Sequence, residues 1–368
     1  MSDSIVSEPR CWAEINLGAL RHNLSKAREW SGCELMAVVK AGAYGHGLES
    51  IAEVAADEGV AYLGVAHVGE ARRIREAGIS TPIYLLGPTW EGERQEIVEH
   101  GWVACISSME EAEDFNRIAA QVGVLSPMHI AVDTGMGRGG FLPHVLIDCM
   151  GELKGLSNLE LVGIGSHLPS ADEDQAFTEG QVQIFEQLIE SIGGSQDFMW
   201  RHLLNSAGLM GYRSPASNLA RPGLMLYGVS SNPEKQRELA TVMSLKSRIT
   251  LIRTLPAGHG VSYGRDYITE KPTQVATIGV GYGDGYPRHL SGQGAEVWIA
   301  DKRCPILGRI TMDQVMVDIS DHADAKIGDV VELFGPNISV AEVAAKAGTI
   351  AWEIFTGITP RVMRIYGN

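Results

Sequence analysis

Apolar positions divide the chain into two regions with different periodicity. From residue 34 to about residue 228, short apolar runs alternate with longer segments of mixed charge and alanine. In the segments 70–78 and 180–193 the apolar residues recur at helical spacing, which is typical of amphipathic helices. The apolar runs are predicted to be strands: LMAVVKA, YLGVAH, IYLLGP, VACISS, MHIAVDTG, LVGIGSH, WRHLLNS and GLMLYG.

Eight strand-like runs alternating with helices predict an α/β fold, a TIM-like (β/α)8 barrel. A doubly wound open sheet is the alternative that the same alternation allows. After about residue 235 the strand-like runs are separated by turns, which predicts a second, mostly β domain. We therefore assign residues 1–235 to a barrel domain and 236–368 to a C-terminal β domain, with an early run at 11–17 as a candidate to pair with the second domain's sheet.

Composition narrows the possible partners. A chain of 368 residues is long enough for two domains, and its net charge of −15 argues against a nucleic-acid partner. No apolar run approaches the roughly 20 residues of a membrane span, and the N-terminus lacks an apolar signal core, so we expect a cytoplasmic protein without membrane association. The five cysteines are scattered without a C-x-x-C pair, which favours reduced thiols and no metal site.

Polar residues follow the predicted barrel strands. In a (β/α)8 barrel the catalytic groups lie at the C-terminal ends of the strands, so these residues are expected to converge on one mouth. They are Lys40, Arg138, His167, Asn205, Ser206, Arg221 and Gly223.

Lys40 is the candidate reactive group of this mouth. Desolvation beside apolar walls would lower the pKa of its amine and make it a base or a nucleophile. Ser206, with backbone amides near Gly223, is suited to bind a phosphate, and the two arginines are suited to hold anions. Taken alone, Lys40 is better described as an exposed lysine at a strand end, and the neighbouring residues are what favour the reactive role.

Motifs over almost the whole chain, in order from about residue 11 to 367, carry a family resemblance. They are VVKAGAYGHG, DTGMGRGGF, SHLPSADE, NSAG, RPGLMLYG, VSYGRDY, GVGYGDGYPR, GRITMDQVMVDIS and PRVMRIY. In this ordered set the chain resembles alanine racemase, a family that uses pyridoxal 5′-phosphate on a fold-type III barrel.

The resemblance implies two bases on opposite faces of the substrate. Lys40 would hold the cofactor as a Schiff base and serve as one acid/base group. Tyr263 would be the other, reaching in from the partner subunit of a homodimer. Two bases on opposite faces exchange the α-proton without rotating the substrate, provided that each pKa lies near the working pH.

The same resemblance implies the remaining site residues. Arg221 would bond the pyridine nitrogen with support from His167, and because arginine keeps its proton it would leave a weaker electron sink that disfavours transamination. Arg138 would contact the cofactor's phenolic oxygen and the substrate carboxylate, helped by the backbone of Met312. The phosphate would be bound by Tyr44, Ser206, Gly223 and Leu224. The path by which substrate reaches the site would be lined by Tyr282 and Asp313.

Three positions depart from the family pattern. Ala131 stands where many relatives carry a carbamylated lysine that braces the arginine, so Arg138 requires another brace: a side chain, a water or an anion such as chloride. Pro360 falls where some relatives place a tyrosine on the phosphate. Gly42 replaces a common asparagine and is expected to loosen the loop after Lys40. His46, in the same loop, is interpreted as structural.

The resulting prediction is interconversion of L- and D-alanine, which supplies D-alanine for peptidoglycan. Three alternatives stay open at this point. The first is a racemase of serine, basic or a broader range of amino acids, since one extra group in an apolar pocket changes affinity by only about 1–3 kcal/mol. The others are a non-catalytic barrel that carries pyridoxal phosphate, and a decarboxylase on a related barrel-plus-β fold.

Overall fold

The structure, a computed structural model, describes residues 8–322 and 324–368. Residues 1–7, part of the N-terminal stretch on which the cytoplasmic expectation rests, lie outside this range. The described residues form two compact units, one of residues 20–43 and 47–240 and the other of residues 8–19, 44–46, 241–322 and 324–368. None of the helices in the described ranges is both long enough and apolar enough to cross a bilayer.

The first elements are β1 (Cys11–Asn16) and α1 (Leu17–Ser31). Eight parallel strands then build the barrel: β2 (Glu34–Val38), β3 (Tyr62–Val65), β4 (Ile83–Leu85), β5 (Val103–Ile106), β6 (Ser126–Ala131), β7 (Leu159–Gly165), β8 (Trp200–His202) and β9 (Leu219–Ala220). The intervening helices are α2 (Lys40–Tyr44), α3 (Leu48–Asp57), α4 (Val68–Glu76), α5 (Glu91–Glu99), α6 (Met109–Val122), α7 (Pro143–Lys154), α8 (Gln175–Ser191), α9 (Ser206–Gly211) and α10 (Pro233–Gln236).

The parallel sheet runs in the order β8-β7-β6-β5-β4-β3-β2-β9. Backbone hydrogen bonds close it between its two end strands, from Asn218 N to Arg201 O at 2.9 Å and from Arg221 N to Leu204 O at 2.8 Å. Strand residues are buried along their whole length in β3, β4 and β5, as expected where helices cover the outer face. The predicted (β/α)8 barrel is therefore confirmed.

The eighth predicted strand is placed wrongly. The run GLMLYG forms a 3₁₀ helix, Leu224–Tyr227, and the strand is the short β9 that precedes it. Pro222, which cannot donate to a strand ladder, separates the two, and the apolar run is buried as a helical turn instead. As a result Arg221 follows the end of its strand, as Lys40, Arg138 and His167 follow theirs.

The second unit is mostly β, which confirms the predicted class of the C-terminal region. Its strands are β10 (Met243–Leu255), β11 (Gly260–Val261), β12 (Tyr267–Ile268), β13 (Thr273–Ile278), β14 (Glu296–Ile299), β15 (Lys302–Leu307), β16 (Val315–Asp318), β17 (Val330–Phe334) and β18 (Met363–Gly367). Its helices are α11 (Val340–Ala347) and α12 (Ala351–Gly357), and 3₁₀ turns occupy Tyr263–Arg265, Tyr282–Asp284 and Arg288–Leu290. A further 3₁₀ turn, Ser195–Asp197, belongs to the barrel unit.

One eight-stranded sheet organises this unit, in the order β13-β16-β15-β14-β17-β10-β1-β18, and β10 also pairs with β13. The N-terminal strand β1 pairs antiparallel with β10 and parallel with β18. Helix α11 begins at Ser339, whose Oγ accepts from Glu342 N at 3.1 Å, and ends at Gly348 in the left-handed region.

Candidate active site

Lys40 lies just beyond strand β2, immediately before a segment whose backbone adopts the left-handed conformation. Four consecutive residues after it, Ala41 to Tyr44, have φ between 51° and 61°, the left-handed region. A hydrogen bond from Ala43 N to Val39 O at 2.8 Å closes this turn. Only Gly42 among the four adopts that conformation without a steric penalty, so the sequence tolerates strain at this point.

The amine of Lys40 is half-buried. Desolvation is the largest cause that lowers its pKa, the charge of Arg138 lowers it further, and the charge of Glu70 acts in the opposite direction. A lysine in this setting is neutral more often at physiological pH than a solvated one, and a neutral amine is a nucleophile and a base.

Arg221 is the buried cation of the mouth and exposes 6 % of its surface. Its NH1 donates to His202 Nδ1 at 2.5 Å, and its NH2 donates to Ser166 O at 2.6 Å and to His167 Nδ1 at 3.1 Å. Burial lowers the pKa of Arg221 to about 10, so the guanidinium stays charged at neutral pH. Because arginine only donates, each of the two imidazoles must accept at Nδ1, and His202 therefore carries its proton on Nε2.

A second pair of imidazoles continues this network into the barrel interior. His202 Nε2 faces His129 Nδ1 at 2.8 Å, so the tautomer set by Arg221 makes His202 the donor. Burial and the charge of Arg221 lower the pKa of His129 to about 3 and that of His202 well below its ordinary value, so both rings are neutral. Two glycines of β7 make room for them, since a Cβ on Gly163 would lie 2.6 Å from His129 and one on Gly165 2.0 Å from His202.

Ser206 and the start of a 3₁₀ helix form the polar end of the mouth. The hydroxyl of Ser206 accepts from Gly223 N at 2.9 Å and from Met225 N at 3.4 Å, which leaves its own proton to donate. Leu224 is the first residue of its helix, where amide groups have no partner within the helix. Asn205 caps α9 by accepting from Gly208 N at 2.9 Å. Amides and a hydroxyl gathered in this way are suited to an oxyanion.

Arg138 lies on the exposed loop after β6. The carboxylate of Asp133 fixes this loop by accepting from the backbone N–H groups of residues 135, 136 and 137. Within residues 8–322 and 324–368, Arg138 itself has no side-chain hydrogen bond or ion pair, so Ala131 leaves it without a protein brace there. Its charge lowers the pKa of both Lys40 and His167, which places the three groups within electrostatic reach.

The other predicted residues belong to the β unit. Tyr263 opens a 3₁₀ turn and exposes 72 % of its surface, and Met312 exposes 51 %. Tyr282 N donates to Thr311 O at 3.1 Å and Gly283 N donates to Met312 O at 2.9 Å, so the two loops are joined backbone to backbone.

Charged side chains hold the same loops. Arg361 bonds Asp313 at 2.7 Å and pairs with Asp284 at 3.3 Å, while Arg10 lies 3.6 Å from both carboxylates. Tyr44, from the short segment 44–46 of this unit, is buried, and burial raises the pKa of its phenol to about 12. His46 is also buried and packs its ring against Phe355 at 4.8 Å.

The barrel unit thus brings together seven of the predicted residues around the ends of its strands: Lys40, Arg138, His167, Ser206, Arg221, Gly223 and Leu224. The β unit carries the other five: Tyr44, Tyr263, Tyr282, Met312 and Asp313. Sequence reasoning missed His129, His202 and Glu70. The alternation of glycines in VGIG on β7 was the available signal for the two histidines, because glycine within a strand marks a close approach.

Comparison with known proteins matches both units. The family model for the alanine racemase N-terminal domain matches residues 15–231, and that for the C-terminal domain matches residues 242–366. The chain belongs to the alanine racemase family. It is therefore a racemase, which confirms the enzyme class expected from the motifs.

Alanine racemases of several bacteria are similar over nearly the full length. That of Halothermothrix orenii is 37 % identical, with 97 % of each chain covered. The alanine racemase structure from Clostridium difficile 630 superposes with a TM-score of 0.91 at 33 % identity, covering 98 % of this chain and 96 % of that one. The alanine racemase structure from Bartonella henselae, which has covalently bound pyridoxal phosphate, gives 0.90 at 29 % identity, covering 98 % and 100 %.

Proposed function

We propose that this chain interconverts L- and D-alanine with pyridoxal 5′-phosphate held at the barrel mouth. The observation that carries the proposal is the half-buried Lys40 beyond strand β2, whose amine pKa is lowered by desolvation and by the charge of Arg138. Membership of the alanine racemase family supports the substrate, and the cofactor bound in the Bartonella henselae relative supports the group.

The donor set of the mouth fits each chemical part of this cofactor. The Lys40 amine, whose pKa is lowered, suits an aldehyde, and a charged donor on Arg221 suits an aromatic ring nitrogen that accepts. The hydroxyl of Ser206, with the amides of Gly223 and Leu224, suits the phosphate, to which Tyr44 would add its phenol. When bound, pyridoxal phosphate withdraws electrons from the substrate's α-carbon and makes its proton acidic.

In this assignment Lys40 moves the α-proton on one face and Tyr263 of the partner subunit moves it on the other. Support for a second subunit comes from the exposure of Tyr263 on its own unit. Arg138 and the Met312 amide would hold the substrate carboxylate, and an arginine without a partner among the described residues is available for an anion. Tyr282 and Asp313 would line the access path.

Arg221 is proposed to donate to the ring nitrogen and to keep its proton. His167 and His202 support this role, because both accept from the guanidinium and neither is protonated at neutral pH. A donor that keeps its proton leaves the ring a weaker electron sink, which favours return of the proton to the substrate over transamination.

The biological role that we propose is cytoplasmic supply of D-alanine for peptidoglycan. The test of the activity is to incubate the holoenzyme separately with L-alanine, L-serine and L-lysine in deuterated water. We expect α-deuteration and D-enantiomer to appear fastest with alanine. Faster serine or lysine turnover would overturn the substrate, carbon dioxide release would indicate decarboxylation, and no turnover of any of them would indicate a non-catalytic carrier.

A mixed-subunit experiment tests the shared site. Lys40→Ala and Tyr263→Phe homodimers are each expected to be inactive. If one site uses Lys40 of one subunit and Tyr263 of the other, random hybrids of the two variants regain about one quarter of the parental activity, since half of the dimers are hybrid and one of their two sites is intact. Absence of recovery in hybrids, or a fully active monomer by sedimentation, would refute the dimer.

A further inference from the structure

Two buried glutamates occupy the same position in different barrel repeats. Glu70 is the third residue of α4 and Glu111 the third residue of α6, and they expose 4 % and 5 % of their surface. Each carboxylate accepts a backbone N–H from the residue two places before its helix, Ala66 at 2.9 Å or Ser107 at 2.8 Å. Such bonds fix the approach of the chain to the helix.

Each glutamate also reaches the loop that follows the preceding strand of the barrel. Glu111 accepts from the Thr89 amide at 3.3 Å and from the Thr89 hydroxyl at 3.1 Å, beyond β4. Glu70 accepts from the Gly42 amide at 3.3 Å, beyond β2. The two side chains are thus equivalent cross-links between neighbouring loops, and they differ in which loop they hold.

The loop held by Glu70 is the left-handed turn after Lys40. Three of its four left-handed residues, Ala41, Ala43 and Tyr44, carry a side chain, so the conformation is unfavourable on its own and persists only where the surroundings impose it. Gly42, in the middle of the turn, offers its N–H to Glu70, and its carbonyl accepts from Gly47 N at 2.9 Å. The glutamate therefore contacts the turn at its centre.

We propose that Glu70 is a positioning residue that holds the left-handed turn and thereby fixes the direction in which Lys40 leaves strand β2. The inference rests on the role proposed above for Lys40. Glu70 reaches no reacting atom in this assignment; it acts through the backbone of residues 40–44.

The charge of Glu70 acts on the same amine. The charged groups that influence the pKa of Lys40 are Arg138, which lowers it, and Glu70, which raises it, and Lys40 in turn lowers the pKa of His167. Glu111 makes the same kind of backbone contacts without appearing among the groups that act on Lys40. It is therefore a control matched in burial, helix position and backbone hydrogen bonds, and it differs in lying 3.9 Å from Arg94 and in accepting from the Thr89 hydroxyl.

The experiment compares the holoenzymes of Glu70→Ala and Glu111→Ala by hydrogen–deuterium exchange, thermal unfolding and kinetics. Both variants lose a buried carboxylate that caps backbone amides, so we expect similar decreases in Tm. In Glu70→Ala alone, the peptide 39–47 should exchange about tenfold faster or more, because its turn opens more often. We also expect kcat for that variant to fall by about tenfold or more, with KM changed less than threefold.

In Glu111→Ala, exchange of peptide 39–47 and kcat should stay within about twofold of the parent. Unchanged exchange of that peptide in Glu70→Ala, or faster exchange with parental kcat, would overturn the proposal. Should either alanine variant fail to fold, Glu70→Gln and Glu111→Gln, which keep one acceptor oxygen, give the same comparison. A parent holoenzyme that does not racemise alanine would refute the proposed function, while the exchange pattern would still decide what Glu70 holds.

Discussion

Arg221 exposes 6 % of its surface and is held by three hydrogen bonds inside the barrel unit, whereas Tyr263 exposes 72 % of its surface on the β unit. The first residue is built into a network that needs only its own folded unit. The second is presented on a surface. Because a buried network is coupled to packing and an exposed phenol is not, changes to the first should affect stability and activity together, and changes to the second activity alone.

The largest effect on stability is expected from Gly165→Ala on β7. The new Cβ would lie 2.0 Å from the His202 ring, which is itself enclosed by Arg221, His129 and the barrel wall. We expect a loss of about 3 kcal/mol or more in the free energy of unfolding, with loss of activity as Arg221 shifts. Urea titration of the holoenzyme measures it.

Gly180→Ala is the control for this change. Gly180 lies within α8 and a Cβ there meets nothing within 4 Å, so the substitution should stabilise the chain by up to about 1 kcal/mol. A Gly165→Ala enzyme with parental stability would mean that the imidazole network is looser than its geometry indicates.

Much of the fold was predictable because its signals are local. The apolar runs located seven barrel strands. The eighth strand was missed because β9 has only two residues, too few for a periodic pattern. Strand β15, KRCPIL, has six residues but begins with two charged ones and contains a proline, and this composition gave no strand signal.

The site was predictable to the extent that its residues end strands. Lys40, His167 and Arg221 follow short apolar runs, and barrel topology gathers such positions. His129 and His202 lie within strands, where the sequence pattern does not distinguish a histidine from the other buried residues of the strand. The hydrogen bond between them joins residues 73 positions apart, and the local periodicity of a sequence cannot predict such a contact.

His129→Leu is expected to have the next largest effect. It removes the acceptor of the His202 Nε2 proton, but it also removes His129 Nε2, a buried donor that has no hydrogen-bond partner among the described residues. We therefore expect a net loss of about 1 kcal/mol in the free energy of unfolding. Activity should fall as well, because the His202 ring loses the contact that holds it in place beside Arg221. Nitrogen-15 NMR of the histidine rings should keep the His202 proton on Nε2, since Arg221 fixes that tautomer, and should show a shifted Nε2 resonance because its acceptor is gone. A parental His202 spectrum would contradict the contact with His129.

The pH dependence of stability tests the same network with a smaller effect. Burial, followed by the charge of Arg221, lowers the pKa of His129 to about 3 from its ordinary value of 6.5. Below pH 6.5 the unfolded chain binds a proton that the folded chain excludes, so the stability contributed by the neutral ring is complete above that pH and is lost toward pH 3. The slope is up to about 1.4 kcal/mol per pH unit for one histidine.

Unfolding titrations of the parent and of His129→Leu at several pH values between 6.5 and 4.5 measure this slope. The variant should lose stability less steeply than the parent by about 1 kcal/mol per pH unit. Parallel curves would mean that His129 is already protonated in the folded chain.

Tyr263→Phe should have the smallest effect on stability, and it tests most directly the difference between the buried Arg221 network and the exposed phenol. The hydroxyl is at the surface, so its removal should leave the free energy of unfolding within about 0.5 kcal/mol of the parent, while racemisation falls by about a hundredfold or more if the phenol is one of the two bases. Tyr366→Phe removes the same group from another exposed tyrosine of the β unit and should alter neither quantity. Equal activity in the two variants would leave Lys40 as the single base and remove the reason for a second subunit. Loss of racemisation in Tyr263→Phe alone, with an unchanged free energy of unfolding, is the result expected of a side chain that acts in catalysis and does not stabilise its own subunit.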